Sequence, residues 1–476
     1  MKKVLLIVAM LLTVIALAAA GAVYWSQRQA AGPPADDRHP NILMVSIDTL
    51  RADHVGAYGY PKPTTPHLDQ MAAEGARFAR AISNCPWTLP SHITMFTGQE
   101  VGVHGVRTTN SALSPSALTI AKLLKTSGYR TMGIGSAPYL KAIYGNAVGF
   151  DSWDDELAQV SYKNSHEAVT AEKAVDKALH DIKANKDRRW FVFLHLWDVH
   201  YDYVPPPPYN KKFVDPSYSG SFPMHNWEKN RAFHVGMDPA DFAYTLAQYD
   251  GEIAWVDSQL GRLLGRLREW GLDQRTIVLV TADHGEEFLE HGQKGHGHSL
   301  YDELIRVPLI VKGPRIPAGR VVECPVSLVD LLPTIAELGG VKKSPYDGPG
   351  RSVLPLLGQP DACDAQRNLF AETNMSNLDK LHNYKRGFEM MLEKGTVKFH
   401  NRVTDPLREL LFDVASDPGE LNDLLAVEPE QGEAFKTEMG RYHHRNNNLR
   451  QKMRLLSKIQ IDGKTQQQLK DLGYIQ

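Results

Sequence analysis

Asn41-Ile42-Leu43-Met44-Val45-Ser46-Ile47 is an apolar, β-prone run that ends at Asp48. Such a run, without polar alternation, reads as a strand buried on both faces. The pattern recurs along the chain. Phe191 to Trp197 is a second run, with Asp198 and His200 at its end; Ile277 to Val280 is a third, leading into Thr281-Ala282-Asp283-His284; Val307 to Val311 is a fourth. Between the second and third, Asp241 to Trp270 carries Ile253, Val256, Leu260, Leu263, Leu264 and Leu267 near helical spacing. Strand runs alternating with amphipathic helices predict an α/β fold, a mostly parallel sheet sandwiched by helices. In open sheets of this kind ligands gather beyond the carboxyl ends of the strands. Three of the four runs deliver Asp or His there. One such residue can be a turn former or a helix cap, but three together predict a site.

The rest of the composition narrows the class. The chain has 476 residues, with 53 Lys+Arg against 55 Asp+Glu, a balance that argues against a dedicated nucleic-acid binder. Hydrophobic residues make up 42 %, enough for a large core. Three cysteines, Cys85, Cys324 and Cys363, cannot make a disulfide framework, and none lies in a CxxC pair. At the start, Lys2 and Lys3 precede an uncharged apolar stretch from Val4 to Trp25, long enough to cross a bilayer. Residues 1–27 therefore read as a signal anchor, or as a signal peptide if cleaved after Ala18-Ala19-Ala20, with the remainder exported. This places the protein at a cell membrane through one N-terminal span, or in a secreted or periplasmic location. Residues 28–40, with Gly32, Pro33, Pro34 and Pro40, read as a linker.

The stretch Asn84-Cys85-Pro86-Trp87-Thr88-Leu89-Pro90-Ser91-His92, continuing to Met95-Phe96-Thr97-Gly98, reads as a loop entering a helix N-terminus, where free N–H groups favour an anionic substrate. It is similar to the nucleophile signature of the sulfatase family, within the alkaline-phosphatase superfamily. Aligned on Pro90-Ser91 and Thr97-Gly98, Thr88 takes the nucleophile position and His92 that of the family's arginine. Other segments share the resemblance: Thr65-Pro66-His67-Leu68-Asp69 with Glu74-Gly75-Ala76-Arg77-Phe78, Asp283-His284-Gly285-Glu286, Arg306-Val307-Pro308-Leu309-Ile310-Val311, Val326 to Thr334, and Leu411-Phe412-Asp413 to Asp417-Pro418-Gly419-Glu420. The resemblance runs in order over roughly residues 40 to 425. It implies an alkaline-phosphatase-like catalytic domain over 41–360 and a small C-terminal α+β domain over 361–440, whose strands would include Gly395 to Phe399 and Leu410 to Asp413. A polar helical tail would occupy 441–476, solvated or acting as a substrate lid.

The departures from the family carry the chemistry. Sulfatases of the main type convert a Cys or Ser at the signature to formylglycine, whereas Thr88 has no such route. Cys85 is out of register for it, because the motif would then need Pro at 87 and Arg at 89, where Trp87 and Leu89 stand. An unmodified threonine resembles relatives that act on phosphoesters. A hydroxyl is a weak nucleophile and needs a nearby metal or base. The resemblance assigns Asp48, Thr88, Asp283 and His284 to one divalent ion. Mixed oxygen and nitrogen ligands favour Zn or Mn, with Ca as the alternative. Thr49 stands where sulfatases usually carry a second metal-binding aspartate, which again disfavours calcium.

The same alignment gives His200 as the active-site histidine, able to protonate the leaving oxygen, and His104 as a residue near the nucleophile. His92 would steady the Thr88 loop. Lys294, His296 and His298 fall where many sulfatases bind substrate. A second metal at His296 or His298, with Asp198 or His200, is an option by analogy with two-zinc phosphodiesterases. His195, inside an apolar strand, reads as a core residue. The expected activity is hydrolysis of sulfate or phosphate esters, of a small molecule, glycan or lipid. The alternative is a transferase moving a phospho group from Thr88 to an envelope glycan or lipid; a non-catalytic binding protein would not keep all four metal-site residues.

Overall fold

The computed structural model describes residue 36 and residues 38–159, 169–224, 232–342, 344–374, 388–403 and 408–471. Asn41–Ile47 is the strand expected from its apolar run, and all of its residues are buried. It lies at the centre of an eight-stranded sheet. In spatial order the strands are Arg320–Val322, Ala76–Phe78, Leu309–Lys312, Thr276–Ala282, Asn41–Ile47, Trp190–Leu196, Arg130–Ile134 and Ser152–Asp154. The centre is parallel: Ile47 pairs with Leu196 on one side and with Ala282 on the other. That register places Asp48, Trp197 and Asp283 at one level, each one residue beyond its strand. Leu309–Lys312 runs antiparallel to both of its neighbours, so the sheet is mostly parallel, as expected.

Helices close both faces because the central strands are apolar on both. The long helix Pro239–Glu269, started by Asp238 accepting from the Ala240 N–H at 2.8 Å, buries Ile253, Val256, Leu260, Leu263 and Leu267. The expected C-terminal unit is an antiparallel sheet in the order Leu369–Asn374, Phe388–Lys394, Val397–Val403, Arg408–Asp413. Against it packs the helix Pro429–Met453, with Phe435, Met439 and Tyr442 buried. This helix runs unbroken across residue 440, where the composition had suggested a boundary. Beyond it the chain is not a free tail. Leu456–Lys458 pairs antiparallel with Ser111–Leu113, and Leu455 and Leu469 are buried in one apolar cluster with Cys85, Trp87, Leu89 and Ile93. The end of the chain therefore packs beneath the loop that carries Thr88.

Two further expectations are corrected. Cys324 and Cys363 form a disulfide across a separation of 39 residues, tying the edge of the main sheet to the approach of the C-terminal sheet. Three cysteines exclude a framework but not one bond, and Cys85 is the one left free and buried. Membrane localisation is also withdrawn: among the described residues no helix is long and apolar enough to cross a bilayer. The stretch Val4 to Trp25 that suggested it lies outside the described residues, as do the rest of residues 1–35.

The two units are joined by buried charge. Arg80 pairs with Asp302 at 2.7 Å and with Glu393 at 2.5 Å. Lys398, fully buried, reaches Asp302 at 2.8 Å and Glu420 at 2.9 Å. His400 bridges Glu389 at 3.0 Å and Glu420 at 3.2 Å, and Arg402 closes on Glu389 at 2.7 Å. Four carboxylates thus meet three permanent cations, and a protonated His400 completes the balance. Burial alone would push the His400 imidazole down, but its bonds to Glu389 and Glu420 outweigh that and raise it above its ordinary value. Lys398 works against the protonated ring, Tyr301 and Phe412 pack on it, and Arg402 lies beyond Glu389. A raised folded-state pKa gives stability that is complete below the unfolded value, about 6.5, and is lost as pH rises through the folded one. The melting temperature of wild type relative to His400→Gln is therefore expected to be greatest near pH 6 and to shrink toward pH 9. A difference independent of pH would show that His400 stays neutral.

Candidate active site

Asp48 follows the central strand and is followed in turn by Thr49, whose φ of +52° is the left-handed region that a β-branched residue rarely enters. Every polar group of Thr49 is pinned. Its N–H donates to Asp283 Oδ1 at 3.3 Å, its hydroxyl to the Val199 carbonyl at 2.8 Å, and its carbonyl accepts from the Tyr249 hydroxyl at 2.7 Å. Strain of this kind costs of order 1–3 kcal/mol and persists only where the surroundings over-determine it. Here it turns the chain so that Asp48 faces Asp283. Asp283 and His284 follow the neighbouring strand, and Gly285 lets the chain pass close to the next loop: a Cβ there would lie 2.0 Å from the Glu303 carbonyl.

Thr88 is the first residue of the helix Thr88–Thr97, which no side chain caps. Its Oγ1 lies 3.3 Å from His284 Nε2. His284 Nε2 is in turn 3.5 Å from Asp283 Oδ2 and 3.8 Å from Asp48 Oδ1. Asp48, Thr88, Asp283 and His284 are all fully buried, so the structure brings together the four residues that the resemblance grouped.

The group fits a divalent cation on the chemistry of its donors. Both Asp48 oxygens and Asp283 Oδ2 are buried without a hydrogen-bond partner, a condition that normally costs free energy and calls for an explanation. The cationic groups acting on the two carboxylates are histidines, with no lysine or arginine among them. Burial pushes the Asp48 carboxyl up to about 7, and burial together with Asp48 raises Asp283. His284 is lowered by burial but raised on balance by Asp283 and Asp48, so the pocket favours positive charge at this point. The tautomer agrees. His284 Nδ1 lies 2.9 Å from the Gly285 carbonyl, which can only accept, so Nδ1 carries the proton and Nε2 offers a lone pair.

His92 braces the start of the helix that Thr88 begins. Its Nδ1 donates to the Thr88 carbonyl at 2.8 Å, its Nε2 accepts from the Ser46 hydroxyl at 3.0 Å, and burial pushes it down to about 4. His104 is further off: Nδ1 accepts from the Val106 N–H at 3.1 Å, so Nε2 donates to Thr94 Oγ1 at 3.1 Å, bracing the second half of the helix. His200 lies beside the centre, stacked on Trp197, with Nδ1 donating to the Tyr201 carbonyl at 2.8 Å. Burial and the nearby His296 hold it well below its ordinary value, hence neutral. His296 packs 4.4 Å from His284 and 4.9 Å from His200 between ring centroids. Lys294 sits over the Phe233 ring, and His298 Nε2 lies 2.6 Å from Glu287.

Asp198 is not available to a second metal. It caps the helix Ala171–Ala184, accepting from the Thr170 and Ala171 N–H groups at 2.8 Å each and from Trp255 Nε1 at 3.0 Å. Two residues were missed by the sequence reading. Glu286, fully buried, accepts from His296 Nδ1 at 2.9 Å and from the Tyr203 hydroxyl at 2.8 Å. His195 lies 3.3 Å from Asp48 Oδ2. The available signals were the glutamate directly after Asp283-His284-Gly285 and a histidine near the end of the strand beside that of Asp48.

A mostly parallel sheet with two acids and a histidine at its carboxyl edge, facing a hydroxyl at a helix start, defines an ester hydrolase of the alkaline-phosphatase-like class, acting on sulfate or phosphate esters. Residues 40–341 match the Sulfatase family, and the chain belongs to it. It is 27 % identical to the uncharacterized sulfatase YidJ of Escherichia coli (strain K12), over 82 % of this chain and 83 % of that protein. It is 26 % identical to arylsulfatase K of Bos taurus, over 82 % and 79 %. Among solved structures, the phosphonate monoester hydrolase of Silicibacter pomeroyi shares the fold with a TM-score of 0.69 at 23 % identity, over 86 % of this chain and 96 % of that one. A structure described as BT4656 in complex with D-glucosamine-2-N,6-O-disulfate does so at 0.69 and 21 %, over 86 % and 99 %.

Proposed function

We propose that this chain is a metal-dependent phosphoester hydrolase that uses the unmodified Thr88 hydroxyl as nucleophile on a small-molecule or glycan ester. The observation that carries this reading is the Thr88 Oγ1, an ordinary hydroxyl, held against His284, Asp283 and Asp48 at the start of an uncapped helix. Asp48, Asp283 and His284 would hold the cation, with Thr88 as the fourth partner. When bound, a divalent ion supplies positive charge that favours the alkoxide and offsets charge on the ester oxygen.

The chain's own groups account for the remaining steps. The helix N-terminus faces the anionic group. Thr88 gives its Oγ proton to water, and Oγ then forms a bond to phosphorus while the bond to the leaving oxygen breaks. Glu286 fixes His296 with its proton on Nδ1 in the neutral ring, so the protonated ring can give its Nε2 proton to the departing alcohol. Water then attacks phosphorus, His296 takes back a proton, and the Thr88–O–P bond breaks. His200, which burial and the nearby His296 hold well below its ordinary value and so neutral, orients the ester rather than protonating it.

The test is a panel of p-nitrophenyl phosphate, bis(p-nitrophenyl) phosphate, a phenylphosphonate ester and p-nitrophenyl sulfate, with and without an acceptor alcohol. Turnover of a phosphorus ester well above that of the sulfate is expected. Preferential sulfate turnover would reject the phosphoester reading, and turnover only with the acceptor would identify a transferase.

A further inference from the structure

We infer that His195, although it lies within the apolar strand Trp190–Leu196, supplies its Nε2 to the same cation as Asp48, Asp283 and His284. The inference rests on the metal-binding part of the proposed function and extends it to a residue outside the motifs.

Its first support is the proton on the ring. His195 Nδ1 lies 2.9 Å from Ser136 Oγ, and the same Oγ lies 2.9 Å from the His195 carbonyl. A carbonyl only accepts, so the serine proton goes to it, and the serine oxygen takes the Nδ1–H. The neutral ring therefore presents a bare lone pair at Nε2.

The second support is what that lone pair faces. Nε2 is buried, makes no hydrogen bond, and sits 3.3 Å from Asp48 Oδ2, itself without a hydrogen-bond partner. Two lone pairs held face to face in a dry interior repel unless positive charge lies between them. His195 also stands close to Asp283 as one of three residues, with His92, whose donor atoms lie within 4.8 Å of one another. His92 is the weaker of the two histidines, because its Nδ1–H is committed to the Thr88 carbonyl.

The third support is spacing. Donors around a tetrahedral ion at zinc-type bond lengths lie roughly 3.3–3.6 Å apart. The neighbouring pairs here are 3.3 Å apart for His195 Nε2 and Asp48 Oδ2, 3.5 Å for His284 Nε2 and Asp283 Oδ2, and 3.8 Å for His284 Nε2 and Asp48 Oδ1, so Asp48 offers one oxygen toward each imidazole. Thr49 cannot supply an oxygen, since its hydroxyl is turned to Val199. A strand neighbour joins the set instead, giving two carboxylates and two imidazoles beside the Thr88 hydroxyl, donors that suit Zn or Mn and are poor for Ca. Ser136 becomes the outer partner that fixes the ligand's tautomer.

The experiment strips the full-length protein with a chelator and titrates in Zn2+, Mn2+ and Ca2+ by competition with a chromophoric chelator, for wild type, His195→Gln, Ser136→Ala and Asp283→Asn. His195→Gln is expected to weaken Zn2+ binding by about a hundredfold or more and to change the visible spectrum of the Co2+-loaded protein. Ser136→Ala, a milder change that keeps the inference testable should the core histidine be needed for folding, is expected to weaken it by about tenfold, the usual scale for an outer partner. Zn2+ affinity within about threefold of wild type in both variants, with an unchanged Co2+ spectrum, would overturn the role of His195 while Asp283→Asn still loses metal. A wild-type protein that takes up no stoichiometric metal would overturn the reading on which it rests as well.

Discussion

Thr88→Ala is expected to leave a folded, metal-binding protein whose kcat/KM on its best ester has fallen by about 10⁴ or more, the scale seen when a nucleophile is removed from a group that acts as a unit. Thr88→Ala removes one hydroxyl and one methyl from a fully buried position, a small loss of packing, and takes away the group proposed to form the bond to the ester. Thr88→Ser keeps that hydroxyl and loses the methyl that helps fix its rotamer, so it should retain turnover within about a hundredfold of wild type. The pair of variants separates chemistry from folding. A Thr88→Ala protein that turns over like wild type would mean that the attacking group lies elsewhere. Cys85 is a poor substitute: it is buried with Trp87, Leu89 and Ile93, and burial pushes its thiol well above the ordinary range. Intact-mass measurement of the peptide containing both residues, quenched during turnover, should place the phospho group on Thr88 and find Cys85 unmodified.

The largest effect on stability is expected at Lys398. Its ammonium is fully buried between Asp302 and Glu420, and both carboxylates stay below their ordinary range although burial alone would raise them: Arg80 and Lys398 hold Asp302 down, and Lys398 with His400 holds Glu420 down. Lys398→Met keeps the stem and deletes the charge. Asp302 retains Arg80, but His400 is the one charged partner left to Glu420 in this network, so net negative charge is stranded in the interior. Breaking a buried pair in this way costs about 3–5 kcal/mol. A lowered midpoint in thermal or urea unfolding measures it, and Lys398→Met combined with Glu420→Gln should recover part of the loss. Single and double variants equally unstable would show that packing of the stem, not charge, is what Lys398 provides. The network also carries the segment between His284 and Glu303, because Asp302 lies at its end and the Asp302 N–H donates to Glu420 at 2.6 Å. Some loss of kcat is therefore expected along with the loss of stability.

How far the sequence was legible depends on where the information resides. Asn41 to Asp48 was readable because a strand buried on both faces needs an unbroken apolar run, and its end is marked by the first charge. The placing of Thr88 at a helix start was readable because a loop that enters a helix beside an anion site has a fixed local spelling. His195 was not. In a strand covered on both sides each position looks like core, and only the register with Asn41–Ile47 reveals which one faces Asp48. Asp198 failed in the opposite direction: it sits where ligands gather, yet its oxygens are taken by the helix it caps. Pairing of Cys324 with Cys363 was also beyond reach, since partners are set by the fold and not by spacing. The end of the chain misled because a few apolar anchors, Leu455 and Leu469, are diluted by Lys, Arg and Gln, and average composition hides them.

The docking of Leu455 and Leu469 beneath Trp87 and Leu89 has a consequence for the order in which the protein is made. Synthesis runs from the N-terminus, and domains generally fold as they emerge. The central strands, and with them the paired aspartates and histidines, are complete long before residue 455 leaves the ribosome. The residues that pack under the Thr88 loop arrive well after them. A nascent chain can therefore hold its acidic centre while the Thr88 loop still lacks the residues that pack beneath it. Seating of the Thr88 loop thus waits on a segment far downstream of it in the chain.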